Sequence, residues 1–316
     1  MRMAQLRRAF HLPQQAVGSA LLAALLTVAL VAVLASQAFW QEWRSIELET
    51  ADRSRLQAAW LLSGTHDWAR ARLRDHAQSS ATADHASEAW AQPIVRMPLD
   101  AFLSGRAAAK EDETFFVSQQ LSDAQGKMNV LNLLEGQALS APWLQAFDKL
   151  FEVLKLPPEQ LVTLSRNLRQ ASARPQISAA GAVLLPQQST QLVWLGLAPA
   201  TLAALQAHVT LLPSRTPVNL NSASVEVLQS LLPSFKRADA ERVVALRQSK
   251  PLESVSDAGI SDLQSEGQYS VSSRFFELHT EIALGSVRVA ENALLQRDGT
   301  GVRTLWRRRA VAVENP

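Results

Sequence analysis

The six histidines are the side chains of this 316-residue sequence best suited to acid-base or metal chemistry. His66, His76 and His85 lie ten and nine residues apart in an Ala-rich stretch. An imidazole changes charge near neutral pH and ligates metals, but this spacing forms no HExxH-type ligand pair. The pattern favours isolated surface histidines. With no Cys in the chain, thiolate chemistry, Cys-based zinc sites and disulfides are excluded. Ser63-Gly64, Ser104-Gly105 and the other serines form no GxSxG elbow, and no GxxxxGK or GxGxxG loop is present. Glu111-Asp112-Glu113 offers carboxylates for a cation or for proton transfer, though a solvated loop explains the triplet more simply. The residues therefore point to a chain that is not an enzyme.

The elements around these residues suggest binding and scaffolding. The composition is 47% hydrophobic and 19% charged, with 31 Lys plus Arg against 29 Asp plus Glu. That is too apolar for a disordered chain, and the length suits two or three folded units. A net charge of +2 argues little for nucleic acid by itself.

The charges are unevenly placed. None falls between Ala9 and Gln41, and residues 19–40 are almost wholly apolar. Twenty-two helical residues rise about 33 Å, enough to cross a hydrocarbon core. Arg2, Arg7 and Arg8 precede this run, whereas Glu42, Glu47, Glu49 and Asp52 follow it. The bias sets the N-terminus in the cytoplasm, and Trp40 with Trp43 suits the far interface. A cleaved secretory signal would have a shorter apolar region, and Ala35-Ser36-Gln37-Ala38 matches its cleavage site only in part. A buried core helix and a simple signal anchor are the other two readings.

No proline occurs between Gln14 and Gln92, and the stretch from Glu47 to His76 is rich in good helix formers, so the helix is predicted to continue outward. Leu56, Ala59 and Trp60 share one side of it, near Ser63, with Arg53 and Arg55 as polar positions. Phe115, Phe116 and Val117 form the most strand-like run, followed by a turn at Gly126. Leu144, Phe147, Leu150, Phe151 and Leu154 mark an apolar helical face. A second helical block follows Trp194, and residues 269–306 return to strand periodicity with a turn at Asp298-Gly299.

Val218-Asn219-Leu220-Asn221-Ser222-Ala223 opens the helix that contains Val227, Leu228 and Leu231, with Ser and Asn side chains available to cap it. An Asn-x-Asn-x-Ala passage before short helices also resembles helix-hairpin-helix modules. The joint at residues 232–237 has no Gly, and Asp239 and Glu241 interrupt the cations Lys236, Arg237, Arg242 and Arg247. Phosphate contacts there would give affinity without sequence choice. No nucleic acid is expected as a partner.

Arg7-Arg8, Gly18 and Ser19-Ala20-Leu21-Leu22 resemble the leader and mature start of type IV pilins and type II secretion pseudopilins. Asp123-Ala124-Gln125, Met128-Asn129-Val130-Leu131-Asn132, Asn219-x-Asn221-x-Ala223, Ser272-Ser273-Arg274-Phe275-Phe276 and Trp306-Arg307 resemble, in the same order, passages of the minor pseudopilin K family. The resemblance implies cleavage between Gly18 and Ser19 by a prepilin peptidase, followed by methylation of Ser19. Ala23 stands where most pilins carry Glu, an absence shared with pseudopilin K. An end subunit has no neighbour above it whose terminal amine would need that carboxylate.

The expected fold is α+β: a long N-terminal transmembrane helix and a pseudopilin-like α/β body with a large, mainly helical insertion. The expected division is a leader at 1–18, a membrane and filament helix at 19–40, and an exposed helix with the first part of the body at 41–130. A shortened first helical insert follows at 131–192, a second at 193–265, and closing strands at 266–316. The triple Arg307-Arg308-Arg309 reads as a solvated strand edge, where like charges discourage accidental pairing.

The resemblance implies a minor pseudopilin at the tip of the type II secretion pseudopilus that initiates or caps assembly for protein export. It would lie in the bacterial inner membrane with a periplasmic C-terminal region. Its implied partners are other minor pseudopilins of the I and J types, the prepilin peptidase and the inner-membrane secretion platform. Family members bind calcium within the first insert, but residues 164–190 contain no acid here, so oxygen ligands are scarce and no cofactor is expected. The competing reading is an unprocessed single-pass periplasmic envelope scaffold or binding protein.

Overall fold

The protein is described by a computed structural model over residues 14–79, 82–104, 115–173, 184–231, 235–259, 267–284 and 287–310. The leader arginines, the acidic triplet at 111–113 and the joint at 232–234 lie outside the described residues. The chain divides into two compact units, residues 1–57 and 58–316.

Helix α1 (Gln14–Gln78) is 65 residues long. In the first unit its residues 19–50 are exposed throughout, and the helix is long and apolar enough to cross a membrane. Trp40 and Trp43 form a tilted pair with ring centroids 5.4 Å apart.

The second unit begins with the remainder of α1, then β1 (Ile94–Pro98), α2 (Leu99–Ser104), β2 (Phe116–Asp123), β3 (Met128–Asn129), β4 (Leu134–Glu135) and β5 (Ala138–Leu139). Helices α3 (Ala141–Val153), α4 (Pro158–Ser172) and α5 (Pro199–Leu205) follow, then β6 (Val209–Thr210) and β7 (Val218–Asn219). The chain closes with α6 (Val225–Leu231), α7 (Arg237–Ser249), β8 (Tyr269–Ser270), β9 (Phe275–Leu284), β10 (Val287–Asp298) and β11 (Gly301–Ala310).

Five strands form an antiparallel sheet in the order β1-β2-β9-β10-β11. Alternation along β2 turns Val117, Gln119 and Leu121 inward. Ala69 and Leu73 of α1 pack with Trp90, Leu121, Phe276, Leu278, Ala293 and Leu295. About three turns earlier, Ala58 and Leu62 pack with Ile282.

Between these apolar clusters lies a polar layer. Gln119, Thr280 and Glu291 are register partners across β2, β9 and β10, and Gln119 Nε2 donates to Thr65 O (3.0 Å) and Thr280 Oγ1 (3.2 Å). His66 is fully buried here, with Nε2 at 3.3 Å from Glu291 Oε2. Burial, with Arg307 next in weight, lowers its pKa from 6.5 to about 4, outweighing the Asp67 carboxylate that raises it. The surface reading of this histidine is therefore corrected. Leu62, His66, Ala69 and Leu73 recur at helical spacing, which turns the imidazole toward the sheet.

The helices form a separate layer around Phe147, Leu150, Phe151, Leu164, Leu168, Leu192, Leu195, Val227 and Leu228. Pro142, Pro158 and Pro199 occupy first turns of α3, α4 and α5, where a missing N–H costs nothing. They start helices rather than interrupt them. Two short parallel pairings close the helical segments: β3 with β6, and β7 with β8. The strand-like Tyr269 therefore pairs at the base of the helical layer, outside the main sheet. Strand β11 is a sheet edge along which Arg307, Arg308 and Arg309 are exposed.

Candidate functional site: the polar hub beneath the helical segments

Two asparagine pairs anchor the helical segments by the same device. Asn129 Oδ1 accepts from Leu131 N (3.1 Å) and Leu212 N (3.1 Å), while its Nδ2 donates to Ser214 O (2.8 Å). Asn132 grips both backbone groups of Thr216: Nδ2 donates to its O (2.7 Å) and Oδ1 accepts from its N (3.0 Å). Asn219 Oδ1 likewise accepts from Asn221 N (2.9 Å), two residues on. Asn221 grips Leu252 through Nδ2 to O and N to Oδ1, both at 2.9 Å. In each pair the first Asn shapes the turn, and the second closes a loop by mimicking a strand partner.

Asn219 does more. Its Nδ2 reaches Asp84 O (3.0 Å), Asp123 Oδ2 (2.7 Å) and Ser273 Oγ (3.0 Å). Ser273 Oγ donates to the same Asp123 oxygen (2.7 Å), and Asp123 Oδ1 accepts from Gln125 N (2.8 Å). Gln125 Oε1 in turn accepts from Arg274 N (2.6 Å) and Phe275 N (3.2 Å), and its Nε2 donates to Pro217 O (3.1 Å). The loop after α1, the end of β2, β7 and the start of β9 thus converge on one buried polar network. Burial pushes the Asp123 carboxyl up, against the hydrogen bonds from Ser222, Ser273, Gln125 and Asn219 that pull it down.

The backbone approach is close. A Cβ on Gly126 would stand 2.8 Å from Ser222 Cβ and O, so only Gly lets the two turns meet. Ala223 is fully buried, and its N–H donates to Asn219 O (3.0 Å). Arg247 donates to Leu220 O (2.5 Å), and burial lowers its pKa.

A second cluster joins the hub at the end of α1. Arg297 Nη2 donates to Asp84 Oδ2 (2.5 Å) and Ser273 O (2.6 Å), and Nη1 donates to His76 Nδ1 (2.9 Å). His76 Nε2 lies 2.6 Å from Glu88 Oε1. Sequence spacing did not reveal this grouping, because Arg297 is remote in sequence and the acids sit in an Ala/Ser-rich stretch.

The hub matches scaffold chemistry more closely than phosphate binding. Arg237 pairs with Glu241 (2.8 Å) and Glu226 (3.7 Å), Arg242 pairs with Asp239 (3.5 Å), and Arg247 faces a backbone carbonyl.

The family model "Type II secretion system (T2SS), protein K" matches residues 218–272, the span that begins with β7 and carries Asn219, Asn221 and Ala223. The type II secretion system protein K of Pseudomonas aeruginosa is 25% identical over 312 residues, covering 90% of each chain. The chain is thus similar to type II secretion system protein K, in the family passage at residues 218–272 and, at lower identity, over most of its length. Protein K is a minor pseudopilin component of that system. The likeness extends to the fold: a crystal structure of the GspK-GspI-GspJ complex from the enterotoxigenic Escherichia coli type 2 secretion system contains a chain matched with a TM-score of 0.63. That match has 18% identity and covers 83% of this chain and 99% of the other.

The other sequence-selected positions of this chain lie in α1. Gly18 is helical, and Ser19 and Ala23 are exposed helical residues of the first unit. They lie far along the sequence from the hub residues and form a separate candidate region.

Proposed function

We propose that this chain is a minor pseudopilin of the protein K type that acts at the tip of the pseudopilus, with α1 as its membrane anchor and packing helix and the helical segments as a bulky head fixed by the hub. The observation that carries this reading is the pairing, in one chain, of an exposed apolar N-terminal helix with the fold of a chain from the GspK-GspI-GspJ complex. Cleavage after Gly18 and methylation of Ser19 would release a mature helix that starts in the apolar run. Ala23 lets that helix end a bundle without an unpaired carboxylate. The body would lie in the periplasm and bind other minor pseudopilins of the I and J types, and capping or initiation would follow from packing rather than catalysis.

Reconstitution tests the tip assignment. The full chain, purified in detergent, should form a stable complex with the I-type and J-type minor pseudopilins of the same organism on size-exclusion chromatography. Failure to associate with a folded, complete set contradicts it.

A further inference from the structure

The geometry points to a divalent transition-metal site, with Zn²⁺ as the best-suited ion, formed by His76, Asp84 and Glu88 at the end of α1. One donor atom from each residue falls within 4.8 Å of the others. The three side chains are 14%, 1% and 11% exposed, so the cluster is enclosed but reachable.

Each carboxylate is held by one oxygen and turns the other into the cluster. Asp84 Oδ2 accepts from Ser273 N (2.7 Å) and from Arg297, whereas Oδ1 is buried without a hydrogen-bond partner and lies 3.5 Å from His76 Nδ1. Glu88 Oε2 accepts from Trp90 Nε1 (2.6 Å) and His85 N (3.1 Å), whereas Oε1 faces the imidazole. Outer donors that orient inner ligands in this way are a regular feature of metal centres. The buried Oδ1 is the independent sign of a missing ligand, since burying a carboxylate oxygen without a donor is costly.

Charge agrees. Two carboxylates face one guanidinium, leaving a negative charge unbalanced when the imidazole is neutral. The site also sits beside the C-terminal end of α1, whose partial negative charge favours a cation. One nitrogen and two oxygens suit Zn²⁺, with bonds of about 2.0–2.2 Å and water completing the shell. They do not suit Ca²⁺, which takes about six to eight oxygens.

Arg297 defines the competing state. A guanidinium only donates, so its contact with His76 Nδ1 leaves the ring proton on Nε2, shared with Glu88. Loading Nε2 with metal moves that proton to Nδ1 and turns Nη1 aside, while Nη2 keeps Asp84 Oδ2 and Ser273 O. The ion would then staple the end of α1 to the loop that carries Asp84 and Glu88.

The test is calorimetric titration of the chelator-treated full chain, in detergent, with zinc chloride. One saturable equivalent should bind, raise the unfolding temperature and resist millimolar Ca²⁺. Glu88→Gln keeps the size of the side chain, and its amide oxygen can still accept from Trp90 and His85. It should weaken zinc binding by more than about tenfold, as should His76→Gln. Should His76→Gln fail to fold, the Glu88→Gln titration decides. No saturable uptake, binding unchanged by Glu88→Gln, or displacement by Ca²⁺ would overturn the assignment.

Discussion

Asn219 Nδ2 stands 2.7 Å from Asp123 Oδ2, which fastens the strand opening the last helical segment to the final residue of β2 in the main sheet. The same amide group reaches Asp84 and Ser273, so one side chain ties together three stretches that are remote in sequence. A head built of helices on a sheet needs such a joint, because its apolar core lies among the helices and cannot fix their position on the sheet by itself.

Asn219→Ala would leave the buried Asp123 oxygen and the Asp84 carbonyl short of a donor. A loss of about 3 kcal/mol is expected from the desolvation of unpaired groups, read as a lower urea midpoint for the full chain in detergent. Asn221→Ala, which frees only the Leu252 backbone groups, should cost about 1–2 kcal/mol.

Gly126→Ala tests the close approach of two turns. Its methyl would stand 2.8 Å from Ser222 Cβ and O, and backbone cannot swing aside as a flexible side chain does. Overpacking of this kind should cost about 2 kcal/mol in the same urea experiment.

His66 gives stability a slope in mild acid. Its folded pKa, about 4, is below the ordinary 6.5, so the unfolded chain binds the proton more tightly. This contribution is complete above pH 6.5 and is lost as pH falls through that value toward 4, to a total of about 3 kcal/mol. His66→Leu fills a similar volume without a titrating group. It should flatten the curve in that window, and an unchanged slope would contradict the burial argument.

Asp123 acts in the opposite sense. Its folded pKa is raised by burial, so its contribution is complete below the unfolded value and is lost as pH rises through the folded one. Asp123→Asn should reduce the stability lost on raising pH through that range. Comparing the two single variants separates this effect from that of His66.

The long helix was legible because proline is absent over residues 14–92 and apolar residues are continuous over 19–40. The sheet strands were legible where β-type residues cluster, as at Phe115, Phe116 and Val117, whereas the inward turn of Gln119 and Leu121 emerged only in the structure. The Asn219 passage could be picked out by its residue types, but its partners could not. Asp84, Asp123 and Ser273 are brought to it by tertiary structure alone. His66 was misread because spacing between histidines was weighed, while its spacing from Leu62, Ala69 and Leu73 carried the information. His76, Asp84 and Glu88 lie in one short segment, yet only the turn after α1 makes their donor atoms converge.

The central claim is that this chain is a processed pseudopilin whose mature helix begins inside the apolar run. Intact-mass and N-terminal peptide mass spectrometry of the chain, isolated from cells with an active prepilin peptidase, tests it most directly. The account predicts a mature N-terminus at Ser19 bearing one methyl group. A chain that retains Met1 to Gly18 in those cells would contradict it and favour the unprocessed envelope scaffold.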